Sequence, residues 1–480
     1  MWQSLSTEEL DKLGQLLDSD YWQKNRRIRQ LGRWLLGYGP AFTSPKLTRE
    51  AAWRQVAAGT PYVDQKLNNL LSDLLQFTYD FLALESLRRD DHTREAYIQE
   101  ALLQRRLYPQ ADRTARRWRK RQEQVPEQDE ELFYATYRWE QYRDLRRVKG
   151  AERSFDPHLQ AQSTALDHFY TLSQLSIYCE MLNRGQIVQS GYEQPYLPEI
   201  LARLEAADQP LREVPLARIY QALIRMLTEE PAEPHYEQAK ALLFQSTEAI
   251  SPTRRKSLYA YLINFAVRQI NRGQPAYYQE AFEIYQRLTD ESLLLEEGRL
   301  SQWTFTNIVT LSVRMGAYDW ARNFMDTYHR ALPAAERETV YQYNLASLHF
   351  QTEDYAQALR HLHVLQFTKD DFYQMATKIL QLKCFYQLGE YEAMRALAST
   401  TRQYLVRNRQ LSDYQRQANL QFVRAIRALA SLREQARRIS PDKRRQKAKV
   451  IEERLNVKTI SNKAWLLQAW QRLREEVPGA

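Results

Sequence analysis

The side chains that could hold a metal ion are scattered through this 480-residue sequence. Of its eight histidines, only His349 has a second ligand, Glu353, at the i, i+4 spacing that places two side chains on one face of a helix. His361 and His363 are two residues apart, so a helix would direct them to different sides. Because a zinc site needs at least three protein ligands, we predict no metal site and no cofactor.

Motifs that serve nucleotide and hydrolase chemistry are absent from the sequence. It has no Gly-x-Gly-x-x-Gly or Gly-x4-Gly-Lys phosphate loop, no Gly-x-Ser-x-Gly nucleophile and no His-Glu-x-x-His pair. Adjacent carboxylates such as Asp90 and Asp91 suit helix caps better than an acid/base couple. We therefore predict that the protein is not an enzyme. An enzyme with a site assembled across helices remains an alternative, which a deep pocket holding several titratable groups would favour.

Two basic segments could neutralise phosphates. Residues 113–121 surround Trp118 with six positive charges, and residues 433–463 carry 11 Lys and Arg against 4 Asp and Glu, most of the chain's net +9. Trp118 could stack on a base. The alternative is a solvated helix face with Trp118 directed into the core. The candidate nucleic-acid residues are Arg116, Arg117, Trp118, Arg119, Lys120, Arg121, Lys443, Arg444, Arg445 and Lys447.

The composition indicates that helices position these side chains. Only 13 residues are glycine, under half of the typical share of about 7%, whereas the helix formers Leu, Ala, Gln, Glu and Arg are abundant. We predict an all-α protein, whose first helix begins at a capping box formed by Ser6 and Glu9. A long amphipathic helix is expected over His158–Asn183.

The cellular location follows from what the sequence lacks. It contains no 18-residue apolar run and no basic stretch followed by an apolar one at its start, so neither a membrane span nor a signal peptide is expected. Cys179 and Cys384 are far apart in apolar helical patterns, which indicates reduced, buried thiols. We therefore predict a cytoplasmic protein.

A Tyr-x-x-Ala unit recurs in the second half of the chain, at spacings of 42, 40, 37 and 36 residues. Its members are Tyr236 with Ala239, Tyr278 with Ala281, Tyr318 with Ala321, Tyr355 with Ala358 and Tyr391 with Met394. Each unit follows a turn-like cluster and begins a second helix, so each predicts an antiparallel helix pair. The alanine allows the two helices to approach closely, and the tyrosine fills the space above the turn. One pair cannot bury its apolar face alone, so neighbouring pairs must stack into a solenoid.

The repeat resembles the tetratricopeptide repeat family. The clearest unit contains Asn344-Leu345-Ala346, Phe350, Asp354-Tyr355 and Ala358-Leu359, and the unit around Tyr318 adds the terminal proline Pro333. It departs from the family where Ala346 or Val309 replaces the first-helix glycine, and its period exceeds 34 residues. The resemblance covers about 216–429. The chain also resembles uncharacterised proteins of Bacteroidota bacteria, which implies no activity.

The family resemblance implies a concave groove, lined by the first helix of each pair, that holds a partner's peptide. It would direct three asparagine amides into this groove, where an amide can bind an extended backbone. The alternative is that the amides link neighbouring helices. The candidate partner-binding residues are Asn264, Asn307, Asn344 and Phe350.

These patterns divide the chain into three predicted domains. A helical amino-terminal domain (1–190) precedes the tetratricopeptide-like repeats (191–430), and basic carboxy-terminal helices (431–480) cap the solenoid. We expect a non-enzymatic scaffold that binds a protein or peptide and does not bind a membrane. A nucleic-acid-associated protein that uses segments 113–121 and 433–463 is the alternative. The partner's identity and the oligomeric state are left open.

Overall fold

A computed structural model describes residues 1–122, 128–148, 155, 157–186, 191–206, 210–365, 371–408 and 411–477. Within these ranges the regular structure is helical, and the only β-type pairing is an isolated bridge between Glu296 and Arg299. The predicted all-α fold is therefore confirmed. Each described helix is either too short or too polar to cross a membrane.

The chain forms two compact units, unit 1 (Met1–Ile250) and unit 2 (Ser251–Ala480). Residues 187–190, at the predicted first domain boundary, lie outside the described residues. The division into three domains stays a prediction.

Unit 1 begins with four helices around one apolar core and continues as neighbouring helix pairs. Its helices are α1 (Thr7–Asp18), α2 (Arg26–Leu36), α3 (Arg49–Val56), α4 (Asp64–Arg89), α5 (Asp91–Gln104), α6 (Tyr108–Gln122), α7 (Glu130–Val148), α8 (Pro157–Gly185), α9 (Leu197–Glu205), α10 (Pro215–Thr228) and α11 (Glu233–Gln245). The capping box at Ser6 and Glu9 starts α1 as predicted. Further along, α7 packs on α8, α8 on α10, and α10 on α11.

Unit 2 is built from successive antiparallel pairs. Its helices are α12 (Pro252–Asn271), α13 (Tyr277–Asp290), α14 (Gln302–Arg314), α15 (Tyr318–Tyr328), α16 (Arg337–Gln351), α17 (Tyr355–Val364), α18 (Asp371–Leu388), α19 (Tyr391–Arg407), α20 (Asp413–Gln435), α21 (Pro441–Leu455) and α22 (Lys463–Glu476). Each first helix from α14 to α18 contacts its own second helix and also the next first helix. This side-by-side contact is the arrangement that a helical solenoid requires.

The turns within the pairs of unit 2 share one geometry. Gly273, Gly316, Glu353 and Gly389 all adopt a positive φ, between 61° and 89°, and recur every 36–43 residues. In each turn, the N–H of the next residue donates to the carbonyl five residues earlier, at 2.9–3.0 Å. This is the Schellman motif. A residue in the left-handed conformation ends the helix, and the last carbonyls of the helix accept hydrogen bonds from the backbone N–H groups that follow it.

The two halves of the Tyr-x-x-Ala unit behave differently. The four alanines and Met394 are fully buried, and the two helices of each pair are in contact. The tyrosines vary, because Tyr236 is fully buried whereas Tyr318 is 37% exposed. The tyrosine is the first residue of the second helix in three pairs of unit 2, and two of these, Tyr355 and Tyr391, are partly buried against the core.

The carboxy-terminal helices cover the end of unit 2. Leu466, Ala469, Trp470 and Leu473 of α22 are buried in one cluster with Phe422 of α20.

Both cysteines of the chain are buried and free. Burial raises the pKa of the Cys179 thiol above its usual range and that of Cys384 to about 12, so both stay protonated.

Candidate functional site

One exposed line of side chains runs along the first helix α14. The hydroxyl of Ser301 accepts the backbone N–H of Trp303 at 3.2 Å and so starts the helix. From there Trp303, Asn307, Thr310 and Arg314 are all exposed, at steps of four, three and four residues. The opposite face, which includes Phe305, Ile308 and Val309, is fully buried. We call the exposed line the α14 face.

The cation at the end of the α14 face is held in position by an aromatic ring. The guanidinium carbon of Arg314 lies 3.9 Å from the ring centroid of Tyr278 on α13. Such stacking restricts the side chain and leaves the edges of the guanidinium available to an anion. The α14 face therefore ends in an ordered positive charge.

Asn344 occupies a different environment from Asn307. Its side chain is 1% exposed and donates through Nδ2 to Thr306 Oγ1 at 3.1 Å and to the Val340 carbonyl at 2.8 Å. The Thr306 hydroxyl lies 3.0 Å from Tyr373 Oη, so the network joins α14, α16 and α18. The Asn344 amide therefore links neighbouring helices, which is the role predicted from the sequence as the alternative to peptide binding.

The other two predicted partner-binding residues are less accessible than Asn307. Asn264 is half-buried on α12. Phe350 is 7% exposed and belongs to the core formed with Ala346, Ala358 and Leu362. A bound peptide could reach Phe350 only if that core opened.

Phe350 also contributes to the surroundings of a partly buried lysine. Nζ of Lys383 lies 5.9 Å from the Phe350 ring and 5.4 Å from the Trp465 ring, and it donates to the side-chain oxygen of Asn462. Burial lowers the pKa of Lys383 to about 8. The contacts of Lys383 join α18 to α16 and to the start of α22, which indicates a role in packing the end of unit 2.

In the first basic segment, Trp118 faces inward. It is 7% exposed and stacks on Trp139 of α7, with ring centroids 4.8 Å apart and an interplanar angle of 21°. Ala135 completes this small core. Stacking of Trp118 on a base would require the indole to leave this pair.

The charged residues around Trp118 remain on the surface of unit 1. Arg119 pairs with Glu140 at 3.1 Å, and Arg121 pairs with Glu95 at 2.8 Å. Four further cations of the segment have exposed side chains. They are Arg113, Arg116, Arg117 and Lys120.

The second basic segment lies mainly on α21 in unit 2. Ala448, Ile451 and Leu455 bury the inner face of this helix, so its cations project from the other side. Lys443 and Arg445 are exposed, whereas Arg444 is half-buried. The half-buried Lys447 donates to Ser431 Oγ of α20 at 2.7 Å. The two basic segments therefore belong to different units.

Among the described residues, no group of three or more His, Cys, Asp or Glu side chains could hold a metal ion. His349 does not pair with Glu353, whose carboxylate lies 3.7 Å from Arg472. Instead the rings of His349 and His361 stack, with centroids 5.2 Å apart. Nδ1 of His361 is 2.6 Å from Gln342 Oε1.

Two cavities of unit 1 have contrasting linings. One, of about 440 Å³ between α7 and α8, is mainly apolar and includes Phe133 and His168. The other, of about 450 Å³ beside α9, α10 and α11, is polar, and its wall contains Arg212, Arg218 and an ion pair of Arg225 with Glu205. Neither includes any of the predicted site residues.

No protein-family model, curated protein or solved structure matches this chain.

The structure adds Trp303, Thr310 and Arg314 to the candidate site, three residues that the sequence pattern did not single out. Trp303 precedes Asn307 by four residues, and Thr310 and Arg314 follow it by three and seven, so all three share its helix face. The helical period could have identified them once Asn307 was chosen. Their exposure depends on neighbouring helices and could not be read from that period.

Proposed function

We propose that this protein is a non-enzymatic interaction scaffold that binds an extended segment of a partner protein along its tetratricopeptide-like first helices. The exposed α14 face carries this proposal. It combines an aromatic ring, an amide, a hydroxyl and an ordered cation in one line. Peptide-binding surfaces combine apolar anchors with a few directed polar groups in this way.

The α14 face favours a particular kind of segment. Trp303 offers an apolar surface, Asn307 offers a donor and an acceptor to a peptide backbone, and Arg314 offers a cation to a carboxylate. The line from Trp303 to Arg314 spans about 16 Å of helix, the length of about five extended residues. We therefore propose a segment with an apolar residue near one end and an acidic group near the other.

We also propose a cytoplasmic location, which would keep the thiols of Cys179 and Cys384 reduced.

Site-specific photo-cross-linking tests this proposal. Full-length protein with a photoreactive residue at position 307 is irradiated in a lysate of the native host, and a second protein carries the residue at position 319. Asp319 is exposed on the second helix α15, so it is the matched control. One partner chain should cross-link from 307 and not from 319.

Variants of the α14 face complete the experiment. Trp303→Ala combined with Arg314→Ala should abolish the cross-link, whereas Tyr318→Ala, which truncates an exposed aromatic residue of α15, should leave it unchanged. Equal yields from both positions, or a cross-link that survives the double substitution, would contradict the proposal.

Nucleic-acid association is a second candidate function, favoured by the exposed cations on α6 and α21. Binding driven by phosphates should weaken steeply between about 50 and 200 mM salt, because each neutralised phosphate releases a counterion. Fluorescence anisotropy with labelled RNA and DNA measures this dependence. Lys443→Glu with Arg445→Glu should reduce the affinity for all sequences alike. A protein that binds neither nucleic acid at low salt does not have this function.

A further inference from the structure

The long helix α8 of unit 1 carries an apolar stripe that faces solvent. Leu159, Leu166, Tyr170 and Ile177 are 54%, 44%, 45% and 47% exposed. The opposite side of α8 is buried in the unit, through residues that include Leu172, Leu175 and Cys179. Contiguous exposed apolar side chains on a folded unit mark a surface that another molecule covers.

The spacing of the stripe is that of a coiled-coil seam. Its members follow one another at steps of seven, four and seven residues, and Ser163 and Ser173 occupy the positions between them. These are successive a and d positions of a heptad repeat, which interlock with the seam of a second helix. The stripe extends over about 27 Å of helix.

The stripe is symmetric about His168. Leu159 and Ile177 are each nine residues from it, Ser163 and Ser173 are each five, and Leu166 and Tyr170 are each two. When two copies of such a helix align antiparallel and the two-fold axis crosses them at the level of residue 168, each a position meets a d position. The stripe is therefore complementary to a second copy of itself. Such self-complementarity is the defining property of a two-fold interface.

We propose that α8 pairs antiparallel with α8 of a second copy of this chain. In this dimer Leu159 packs on the partner's Ile177, Leu166 packs on the partner's Tyr170, and the small Ser163 faces the partner's Ser173. This surface lies in unit 1 and is a different one from the α14 face of unit 2.

The charges on α8 are compatible with this pairing. Between Leu159 and Ile177 the only acidic or basic side chain, apart from His168, is Asp167. The two Asp167 carboxylates would lie near the axis, where like charges oppose association. Each is already paired with Arg203 of α9 in its own chain, so the repulsion between them is offset.

Charge substitutions test both the dimer and its register. By sedimentation or light scattering at about 10 μM, the full-length wild-type protein should be a dimer, and Leu166→Glu or Tyr170→Lys alone should raise the dissociation constant at least 100-fold. A mixture of these two variants should form a heterodimer, because the carboxylate introduced into one copy would meet the ammonium group introduced into the other. The double variant Leu166→Glu/Tyr170→Lys should again form a homodimer.

A substitution elsewhere controls for the effect of adding charge. Val406→Glu replaces another exposed apolar residue, on α19 of unit 2, and should leave the dimer unchanged. Circular dichroism of each variant shows whether it is folded. A wild-type protein that is monomeric at 100 μM would overturn the proposal. So would a dimer that survives Leu166→Glu, or folded Leu166→Glu and Tyr170→Lys proteins that fail to associate when mixed.

Discussion

The buried amide of Asn344 donates a 3.1 Å hydrogen bond to the hydroxyl of Thr306, and so joins the first helices of two successive pairs. Thr306 lies one residue before Asn307, whose side chain is exposed on the α14 face. One helix therefore contributes adjacent residues to a packing network and to a candidate binding surface. Substitutions at positions 307 and 344 separate these two roles.

Asn344→Ala should lower the free energy of unfolding by about 1–3 kcal/mol, because it removes a buried hydrogen-bonded amide. Asn307→Ala should change it by less than about 0.5 kcal/mol, as is usual for an exposed residue without a packing role. Urea denaturation of the two full-length variants measures the difference. Equal stability of the two would show that the network contributes nothing to the pairing of α14 with α16.

Trp118→Ala should lower the free energy of unfolding by about 3–5 kcal/mol, because it leaves a cavity beside Trp139. Trp118→Phe keeps a ring in this position and should cost less. Lys120→Ala, an exposed neighbour, should cost less than about 0.5 kcal/mol. Urea denaturation of the full-length variants, followed by circular dichroism, compares the three. A Trp118→Ala protein as stable as the wild type would contradict the packing role of Trp118 and would favour binding of a ligand by the indole.

The features that the sequence predicts well are local ones. The capping box at Ser6 and the buried alanine of each helix pair depend on residues a few positions apart, and the structure contains both. The difference in burial between Asn307 and Asn344 depends on helices that are distant in the sequence. In α16, the neighbouring helices α14 and α18 cover the amide, and no pattern within α16 contains that information. The same holds for Trp118, since Trp139 covers it from another helix.

Unit 2 should lose stability when the pH falls below about 6.5, the ordinary pKa of histidine. Burial lowers the pKa of both His349 and His361, and the nearby Arg322 acts in the same direction. Asp354 opposes this shift at His349. Because the unfolded chain then binds protons more readily than the folded one, acid favours unfolding, and the stability is retained above this pH.

Chemical denaturation at pH 8 and pH 5.5 measures this dependence. The double variant His349→Gln/His361→Gln should show a smaller loss between the two pH values than the wild type, because it removes two groups that resist protonation. A wild-type loss that the double variant reproduces in full would assign the effect to other groups.

The turn at Glu353 offers a way to stabilise the protein. It has a φ of 61°, in the left-handed region where the equivalent residues of the other turns in unit 2 are glycine. A side chain there costs about 1–2 kcal/mol, and the ion pair of Glu353 with Arg472 is exposed and long, at 3.7 Å, so it contributes little. Glu353→Gly should therefore raise the free energy of unfolding by about 1 kcal/mol.

The reciprocal substitution, Gly389→Ala, should lower the free energy of unfolding by about 1 kcal/mol. An added Cβ at Gly389 would meet no atom within 4 Å, so backbone strain is the only expected cost. Thermal denaturation of the two single variants tests the pair. If the substitutions do not shift the stability in opposite directions, the turns at Glu353 and Gly389 are not equivalent positions of one repeat.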